Sequence, residues 1–527
     1  MDPGGLITHV IAARAAEDGE RILIQEVGGG SLTYAEVHDR SLRWATVLEG
    51  LGVAPGEAVL STASGASVYW GWLGAAWLGA VHVPLNPDLR GRLLVSAIAT
   101  TGARVVVVER RHLEPLLAVA AEVPALEHVV VLGAVDDDLG GAGPRLHAGL
   151  DLLDRAAAVE RRGPEPTDAA AAIFTSGTTG PSKCAVRTWT GIESSGRWLF
   201  PGDPCGTTPG GAYYTPWPPY HGLGLSGLAV AVQRDLRLVI REGFSLSGWW
   251  DDIRAYGCTH ALLLVVAPLV VGRAPSPDDA DNPLRHLTVC PLVRDVAGLE
   301  ARFGVQVSTM YGQTETGAVL VSARPVDHRS AGRPAPNLDV AVVDGDGEPV
   351  PVGEVGELVV RTRCPGRISD TYLGMPEAMA EKWRDGWFHT GDAFRVDAEG
   401  NHEFVDRMKD SIRHRGHNLS SIELEQEILG HPDVVECACL GVPSDLAEAD
   451  VFGDQDVKAV VVLRPGAVTS GEALLDFLVP RLPKYMLPRY VELVDELPKT
   501  PTNRVRKEQL RQAGPGREVW DRFAAGR

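Results

Sequence analysis

An α/β fold, with a large N-terminal domain of helix-covered sheets and a small C-terminal α+β domain, is what this sequence predicts, and three observations predict it. Helical and strand-like patterns alternate through the first hundred residues. A run of hydroxyls and glycines closed by a lysine, Thr175-Ser-Gly-Thr-Thr-Gly-Pro-Ser-Lys183, leaves the small apolar run 169–174. Near 406–416 a charged segment interrupts the pattern, and strands and helices then resume in a compact series. Alternation of this kind places parallel strands beneath helices.

The elements follow in order. Thr33 and Glu36 form a capping box ahead of an apolar helical stripe at Val37, Ala45 and Leu48. The glycines at 52 and 56 turn the chain into a short strand at 58–61. Residues 68–78 read as a helix feeding a strand at 81–85, and 93–101 as a helix feeding the β-branched run 105–108. The stretch 203–220, dense in Gly, Pro and aromatics, reads as a loop that shapes a pocket. Residues 299–303 look helical and 305–308 extended. A second capping box, Ser420 with Glu423, opens a helix through Leu429; strands at 434–440 and 457–463 and a helix around 474–482 complete a small unit. The boundary is placed at Lys409, giving domains 1–408 and 409–527.

Composition narrows the class. The 527 residues, 44% apolar, are ample for several compact units. A formal charge of -19 with no dense Lys/Arg block argues against nucleic acid or an anionic membrane as the main partner. Seven cysteines without ladder spacing give no disulfide framework and no C-x-x-C metal site, which points to a reducing compartment. Cys437 and Cys439 alternate along a strand and are expected in a core. No basic N-terminal region precedes a long apolar stretch, and the apolar run 261–271 is too short to span a bilayer, so a cytoplasmic location with no membrane span is expected.

The chemistry concentrates in four segments. In the loop Thr175, Ser176, Gly177, Thr178, Thr179, Gly180 and Lys183, glycines let backbone N–H groups close on phosphate oxygens, hydroxyls add donors, and the lysine adds mobile charge, so ATP is the natural guest. An ordinary surface turn is the competing reading. The Walker spacing fits only in part, because Ser182 stands where the second glycine belongs and Cys184 where a Mg²⁺-holding hydroxyl would sit. Met310-Tyr-Gly-Gln-Thr-Glu-Thr316 offers Tyr311 for stacking, Gly312, a hydroxyl at Thr314, and Glu315 as a Mg²⁺ ligand or a solvated loop carboxylate. Trp387-Phe-His-Thr-Gly-Asp392 ends in an aspartate suited to ribose hydroxyls or to an Asx turn, and Arg407 follows in the next hairpin-like segment.

These segments, in this order and spread over nearly the whole chain to Lys499-Thr-Pro-Thr-Asn-Arg-Val-Arg-Lys507, resemble the adenylate-forming superfamily of acyl-CoA ligases, adenylation domains and luciferases. Tyr372-Leu-Gly-Met-Pro-Glu-Ala378, Pro291-Leu-Val-Arg-Asp-Val296 and Arg302-Phe-Gly-Val305 look like the crotonobetaine/carnitine-CoA ligase subgroup. An Ala/Arg/Gly/Val-rich composition with an altered tail is also similar to ligases for bulky terpenoid acids of the platensimycin type. The resemblance implies a carboxylic acid attacking the α-phosphate of ATP with Mg²⁺, an acyl-adenylate, and, after rotation of a mobile small domain, displacement of AMP by coenzyme A. Carried over residue by residue, it implies phosphate contacts from 175–183, adenine on Tyr311, the α-phosphate on Thr314, Mg²⁺ on Glu315, ribose on Asp392 and Arg407, and a hinge at Lys409. Arg413, Arg415 and Gly416 would face CoA, or form a solvated basic loop. Trp217-Pro-Pro-Tyr-His221 would gate the carboxylate, with Trp217, Tyr220, His221, Leu223, Pro291 and Leu292 lining the acid pocket. A core histidine is the alternative for His221.

Two departures stand out. Relatives carry Gly-Lys in the tail loop, whereas this chain has Asn503-Arg504, and a planar guanidinium has a different reach from an ammonium. Misplacing a catalytic cation by about 1 Å costs on the order of 100-fold. Adenylation is therefore expected to be weakened or lost while acyl-adenylate plus CoA still reacts, the adenylate then coming from a partner ligase. Alternatively Arg504 works, or Lys507 substitutes for it. At Cys290-Pro-Leu-Val293 many relatives have a Gly/Ala-rich adenine loop. A carrier-loading enzyme and a silent adenylate-binding protein are the rival functions.

Overall fold

The computed structural model describes residues 5–134, 143–175, 183–203, 210–264, 266–325, 327–408, 410, 412–414, 417–444, 455–500, 503–512 and 519–525; the side chains of 413, 417 and 418 are outside that set. The chain forms two compact units, one of Met1–Thr175, Ser182–Asp339 and Val360–Phe388, the other of Ser176–Pro181, Val340–Val359 and His389–Arg527.

In the first unit the alternating pattern becomes two sheets. One runs Ser330–Pro334, Gly317–Ser322, Gln306–Gln313, His286–Val289, His260–Leu263, Ala212–Thr215, Arg237–Ile240, Ile22–Glu26, Ser31–Thr33. Its middle strands, from Gln306–Gln313 to Ile22–Glu26, pair in parallel. The other runs Tyr372–Leu373, Cys184–Thr188, Ala169–Phe174, Val81–Pro84, Ala58–Ser61, Val105–Glu109, His128–Leu132, Arg145–Ala148, antiparallel only across its first two pairs. Strands buried on both faces need continuous apolar runs, which is what Val105–Glu109 and His128–Leu132 supply.

Helices Tyr34–Gly50 and Gly65–Leu78 pack into the core. The Thr33 cap is complete: its hydroxyl accepts from Glu36 N–H at 3.2 Å and Glu36 Oε2 accepts from Thr33 N–H at 2.8 Å. Trp72 stacks on Trp189 at 5.1 Å and donates its indole N–H to Ala170 O at 2.8 Å. The stretch 203–220 corrects the sequence reading. A buried strand, Ala212–Thr215, lies inside it, with Tyr213 and Tyr214 fully buried; the surrounding glycines and prolines hid four residues of strand. Likewise the strand expected at 305–308 runs on to Gln313.

In the second unit, residues from Asp392 to Val396 pair antiparallel with His402–Arg407. A four-stranded sheet, Val434–Pro443, Gln455–Leu463, Tyr490–Val494, Val519–Asp521, packs with the helices Ser421–Leu429 and Gly471–Leu478 around Leu424, Ile428, Cys439, Val461 and Leu474. Cys437 and Cys439 are buried in this core as expected. The second capping box is only half made. Ser420 accepts from Glu423 N–H, but the Glu423 carboxylate turns to Arg395 at 3.3 Å. The helix expected at 474–482 starts earlier because Ser470 caps it, accepting from Ala473 N–H at 3.2 Å.

Candidate active site

The mouth of the antiparallel pair Ala169–Phe174 and Cys184–Thr188 is where the hydroxyl–glycine loop leaves the sheet. Thr175 N–H donates to Lys183 O at 2.8 Å and the Thr175 hydroxyl donates to the same carbonyl at 3.2 Å, so the two ends of the loop are clamped together. Ser176, Gly177, Thr178, Thr179 and Gly180 lie outside the described residues. The Lys183 ammonium stands 5.3 Å from the centroid of the Tyr372 ring, a cation–π distance.

The second segment is a hairpin. Gln306–Gln313 and Gly317–Ser322 pair antiparallel with a register shift between Tyr311 and Gly312, and Thr314, Glu315 and Thr316 make the turn between them. Thr316 closes it by accepting Gln313 N–H at 3.1 Å. Gly312 and Gly317 are required here. A Cβ on Gly312 would strike the Gly317 carbonyl, and Gly317, at φ 63°, leaves no room before Ser195 Oγ and Arg187.

Glu315 is the junction of the two sheets, and it is buried. Its carbonyl accepts from Arg187 Nη1 and from Ser369 N–H at 2.8 Å. Its Oε1 accepts the Tyr372 hydroxyl at 2.6 Å. Oε2 carries no hydrogen bond among the described residues. Burial pulls the Arg187 guanidinium down to about 10, against the attraction of Glu315, and burial raises the Tyr372 phenol. A carboxylate with one oxygen held and one open, next to the hydroxyls of the turn, is a hard-oxygen donor set that fits Mg²⁺, which takes one or two carboxylates plus phosphate oxygens and waters.

Of the pocket candidates, His221 precedes the short helix Gly222–Leu225, and a Cβ on Gly222 would lie 3.7 Å from Ile173 Cδ1, so this segment runs beside the strand that feeds the phosphate loop. Tyr220 and Leu223 are half-buried next to it; burial raises the Tyr220 phenol. Trp217 is buried, stacked on Phe244 at 5.9 Å with its indole donating to Leu262 O at 3.0 Å. Pro291 follows a cis peptide bond, Leu292 packs on the core, and Cys290 Sγ donates to Met310 O at 3.1 Å, which sets this turn against the residue before Tyr311.

The second unit places Asp392 and Arg407 directly opposite each other in its hairpin, Arg407 Nε 3.7 Å from Asp392 Oδ1. Asp392 is buried, within the strand Trp387–Val396. Arg504 is exposed. Its backbone N–H donates to Thr500 Oγ1 at 3.1 Å, its carbonyl accepts from Thr500 N–H at 2.7 Å, and Asn503 ahead of it has φ 62°, a conformation that asparagine tolerates better than most residues. Lys507 is tied down, with Nζ 2.7 Å from Glu425 Oε1 and on the Ser421 hydroxyl. Burial opposes its charge, yet Glu425 and Asp406 raise its pKa overall. Arg413 pairs with Asn418 through its backbone; its side chain and Lys409, Arg415 and Gly416 lie outside the described residues.

Arg187, Ser369 and Tyr372 went unassigned in the sequence reading. Tyr372 sits in a motif noted only for its likeness to a subgroup, and nothing in its neighbours points 57 residues back to Glu315.

Among the described residues no helix is long and apolar enough to cross a membrane. Residues 11–370 match the profile of the AMP-binding enzyme family, and residues 423–504 that of the AMP-binding enzyme C-terminal domain. The chain is 32% identical over 511 residues to a feruloyl-CoA synthase from an Amycolatopsis species, covering 92% of this chain and 94% of that protein. It is 28% identical over 496 residues to a crotonobetaine/carnitine–CoA ligase of Citrobacter koseri, covering 91% and 93%. Among solved structures it superposes on ATP-bound MatB from Rhodopseudomonas palustris with a TM-score of 0.81 and 27% identity, covering 96% and 98% of the two chains. With the family's N-terminal and C-terminal profiles both matched in order, the chain belongs to the AMP-binding enzymes, in the adenylate-forming superfamily of acyl-CoA ligases.

Proposed function

We propose that the chain joins a carboxylic acid to coenzyme A in two steps, in the cytoplasm, with the second step the stronger. It is an acid–thiol ligase: a carboxylate oxygen attacks the α-phosphorus of ATP, the α–β bridging P–O bond breaks, pyrophosphate leaves, and CoA thiolate then attacks the acyl carbon and expels AMP. Mg²⁺, when bound with ATP, neutralises charge on the phosphates. The observation that carries the reading is Glu315, a buried carboxylate with one oxygen fixed and one open, with Tyr372 between it and Lys183 at the closed mouth of the hydroxyl–glycine loop.

In this reading Thr175 to Gly180 and Lys183 grip the phosphates, Tyr311 and Gly312 take the adenine, Thr314 the α-phosphate, Glu315 the Mg²⁺, and Asp392 with Arg407 the ribose. His221 orients the acid in a pocket bordered by Tyr220, Leu223, Pro291 and Leu292. Trp217 braces that wall from behind, because its indole is already committed to Leu262 O. Lys409 is the swivel between 1–408 and 409–527, and Arg413, Arg415 and Gly416 meet CoA once the small domain has turned. The thiol is roughly a few per cent ionised at neutral pH, so cations near it and the activated acyl phosphate carry the second step.

Arg504 makes adenylation the weaker half. Asn503 keeps the left-handed turn that presents residue 504, Lys507 is held by Glu425, and a guanidinium is left where an ammonium would make the tighter junction. A partner ligase then supplies acyl-adenylate. The test is ATP–pyrophosphate exchange measured beside thioester formation from synthetic acyl-adenylates, across aromatic, carnitine-like and bulky terpenoid acids. Expected are weak exchange, robust thioester from at least one adenylate, and an Arg504→Lys variant whose exchange rises about 10- to 100-fold while thioester formation is unchanged. Strong exchange in the unmodified protein overturns the ordering of the two steps. Absence of thioester from every adenylate overturns the ligase reading in favour of a silent adenylate binder, and transfer to a carrier protein but not to CoA turns it to a carrier-loading enzyme.

A further inference from the structure

We infer that Tyr372 is a positioning residue for the divalent cation: its hydroxyl fixes one oxygen of Glu315 so that the other is presented to the metal, while its ring supports Lys183. The inference rests on the reading of Glu315 as the metal ligand.

Three observations carry it. The strand Tyr372–Leu373 has only two residues and pairs with the Cys184 end of Cys184–Thr188, Tyr372 opposite Ala185 and Leu373 opposite Cys184. That register sets Tyr372 beside the lysine that closes the phosphate loop, at 5.3 Å from its ammonium to the ring centroid. Its hydroxyl then reaches the first unit's other sheet and donates to Glu315 Oε1 at 2.6 Å, both residues being buried. The phenol O–H donates and the carboxylate oxygen accepts, so the polarity of the contact is fixed.

The rest of Glu315 is held independently. Its carbonyl is clamped by Arg187 and by Ser369 N–H, the latter three residues before Tyr372. Main chain and side chain are thus anchored from the same short segment, 369–372, with the Tyr372 hydroxyl holding the carboxylate end. That hydrogen bond favours the rotamer in which Oε1 faces Tyr372 and Oε2 faces away from it. Without it the carboxylate can turn its oxygens towards Arg187, whose Nη2 is buried and has no hydrogen bond among the described residues. Hydrogen bonds of this kind, from a group behind the ligand, are worth about 10- to 100-fold in metal affinity.

The discriminating substitution is Tyr372→Phe, which keeps the ring, its volume and its contact with Lys183 and removes only the hydroxyl. Mn²⁺ serves as the probe, titrated by electron paramagnetic resonance into the full-length protein with α,β-methylene-ATP, alongside binding of metal-free AMP. The expected result is Mn²⁺ affinity lowered about 10- to 100-fold with AMP affinity and thermal midpoint unchanged, and, in turnover, a raised requirement for Mg²⁺ that saturating Mg²⁺ rescues. Glu315→Gln separates the two ideas. Loss of Mn²⁺ in Glu315→Gln but not in Tyr372→Phe overturns the role of Tyr372 and leaves the metal reading standing, whereas unchanged Mn²⁺ affinity in Glu315→Gln removes both. A Tyr372→Phe variant that loses AMP binding in equal measure marks Tyr372 as structural, which also overturns the inference.

Discussion

Glu193 shows how much one side chain can bend the behaviour of the first unit with pH. It lies on the helix Trp189–Trp198, accepts Ile7 N–H at 2.7 Å, and burial lifts its carboxyl from 4.5 to about 7 against the pull of Ile7 N–H and Arg197. Below about pH 4.5 folded and unfolded chains both hold the proton; between there and about pH 7 only the folded chain does, so stability falls as pH rises through that window and levels off above it. Because the group is partly exposed, the loss is at most roughly 2–3 kcal/mol. Glu193→Gln keeps the acceptor for Ile7 and should flatten this slope, making the variant more stable than the parent at pH 8 and no different at pH 4; urea midpoints at the two pH values measure it. Such a residue is invisible in the sequence, where Glu193 reads as an ordinary helical glutamate. The same holds for Tyr372 and Arg187, whose partners lie 57 and 128 residues away. What the sequence did show was local chemistry that needs no distant partner: Gly312 ahead of the turn and the Thr33 cap, whereas the facing of Asp392 and Arg407 across a hairpin came from the structure.

Adjacent strands of the first sheet hold a second lesson, in a knot of charge. His260 and His286 face each other in register on parallel strands, their rings stacked at 4.8 Å, and Asp203 meets both, at 3.0 Å and 3.5 Å. The donor atoms of the three lie within 4.8 Å of one another, a spacing that a metal ion accepts. Arg234 already supplies the positive charge: its Nε is 3.4 Å from the Asp203 carboxylate, and its other nitrogens donate to Gly196 O at 2.8 Å and Arg197 O at 2.7 Å. The cluster thus fastens the Gly227–Arg234 helix and the Trp189–Trp198 helix to the sheet. Asp203→Ala removes the carboxylate that faces a buried guanidinium and should cost about 3–5 kcal/mol, read as a lower urea midpoint at unchanged slope. The strands themselves were readable wherever β-branched runs are continuous, as at 105–108, and were lost where four residues sit among glycines and prolines, as at Ala212–Thr215. Periodicity needs a window longer than such a strand to register.

At the scale of the whole molecule, the class of fold and the order of motifs were legible because each motif is contiguous and its chemistry is local. The sheet order was not, since a parallel sheet assembles its strands out of sequence. Ile22–Glu26 is an extreme case: its parallel neighbour is Arg237–Ile240, and on its other side stands only the three-residue strand Ser31–Thr33. During synthesis the emerging polypeptide therefore carries an apolar edge without its permanent mate until some two hundred further amino acids have left the ribosome, a wait on the order of ten to forty seconds. Stalled nascent chains released just short of Arg237 should leave Ile22–Glu26 open to pulse proteolysis, and chains extended beyond Ile240 should protect it. Slow translation during production would lengthen that exposure, and with it the time in which this edge is open to pairing with another chain.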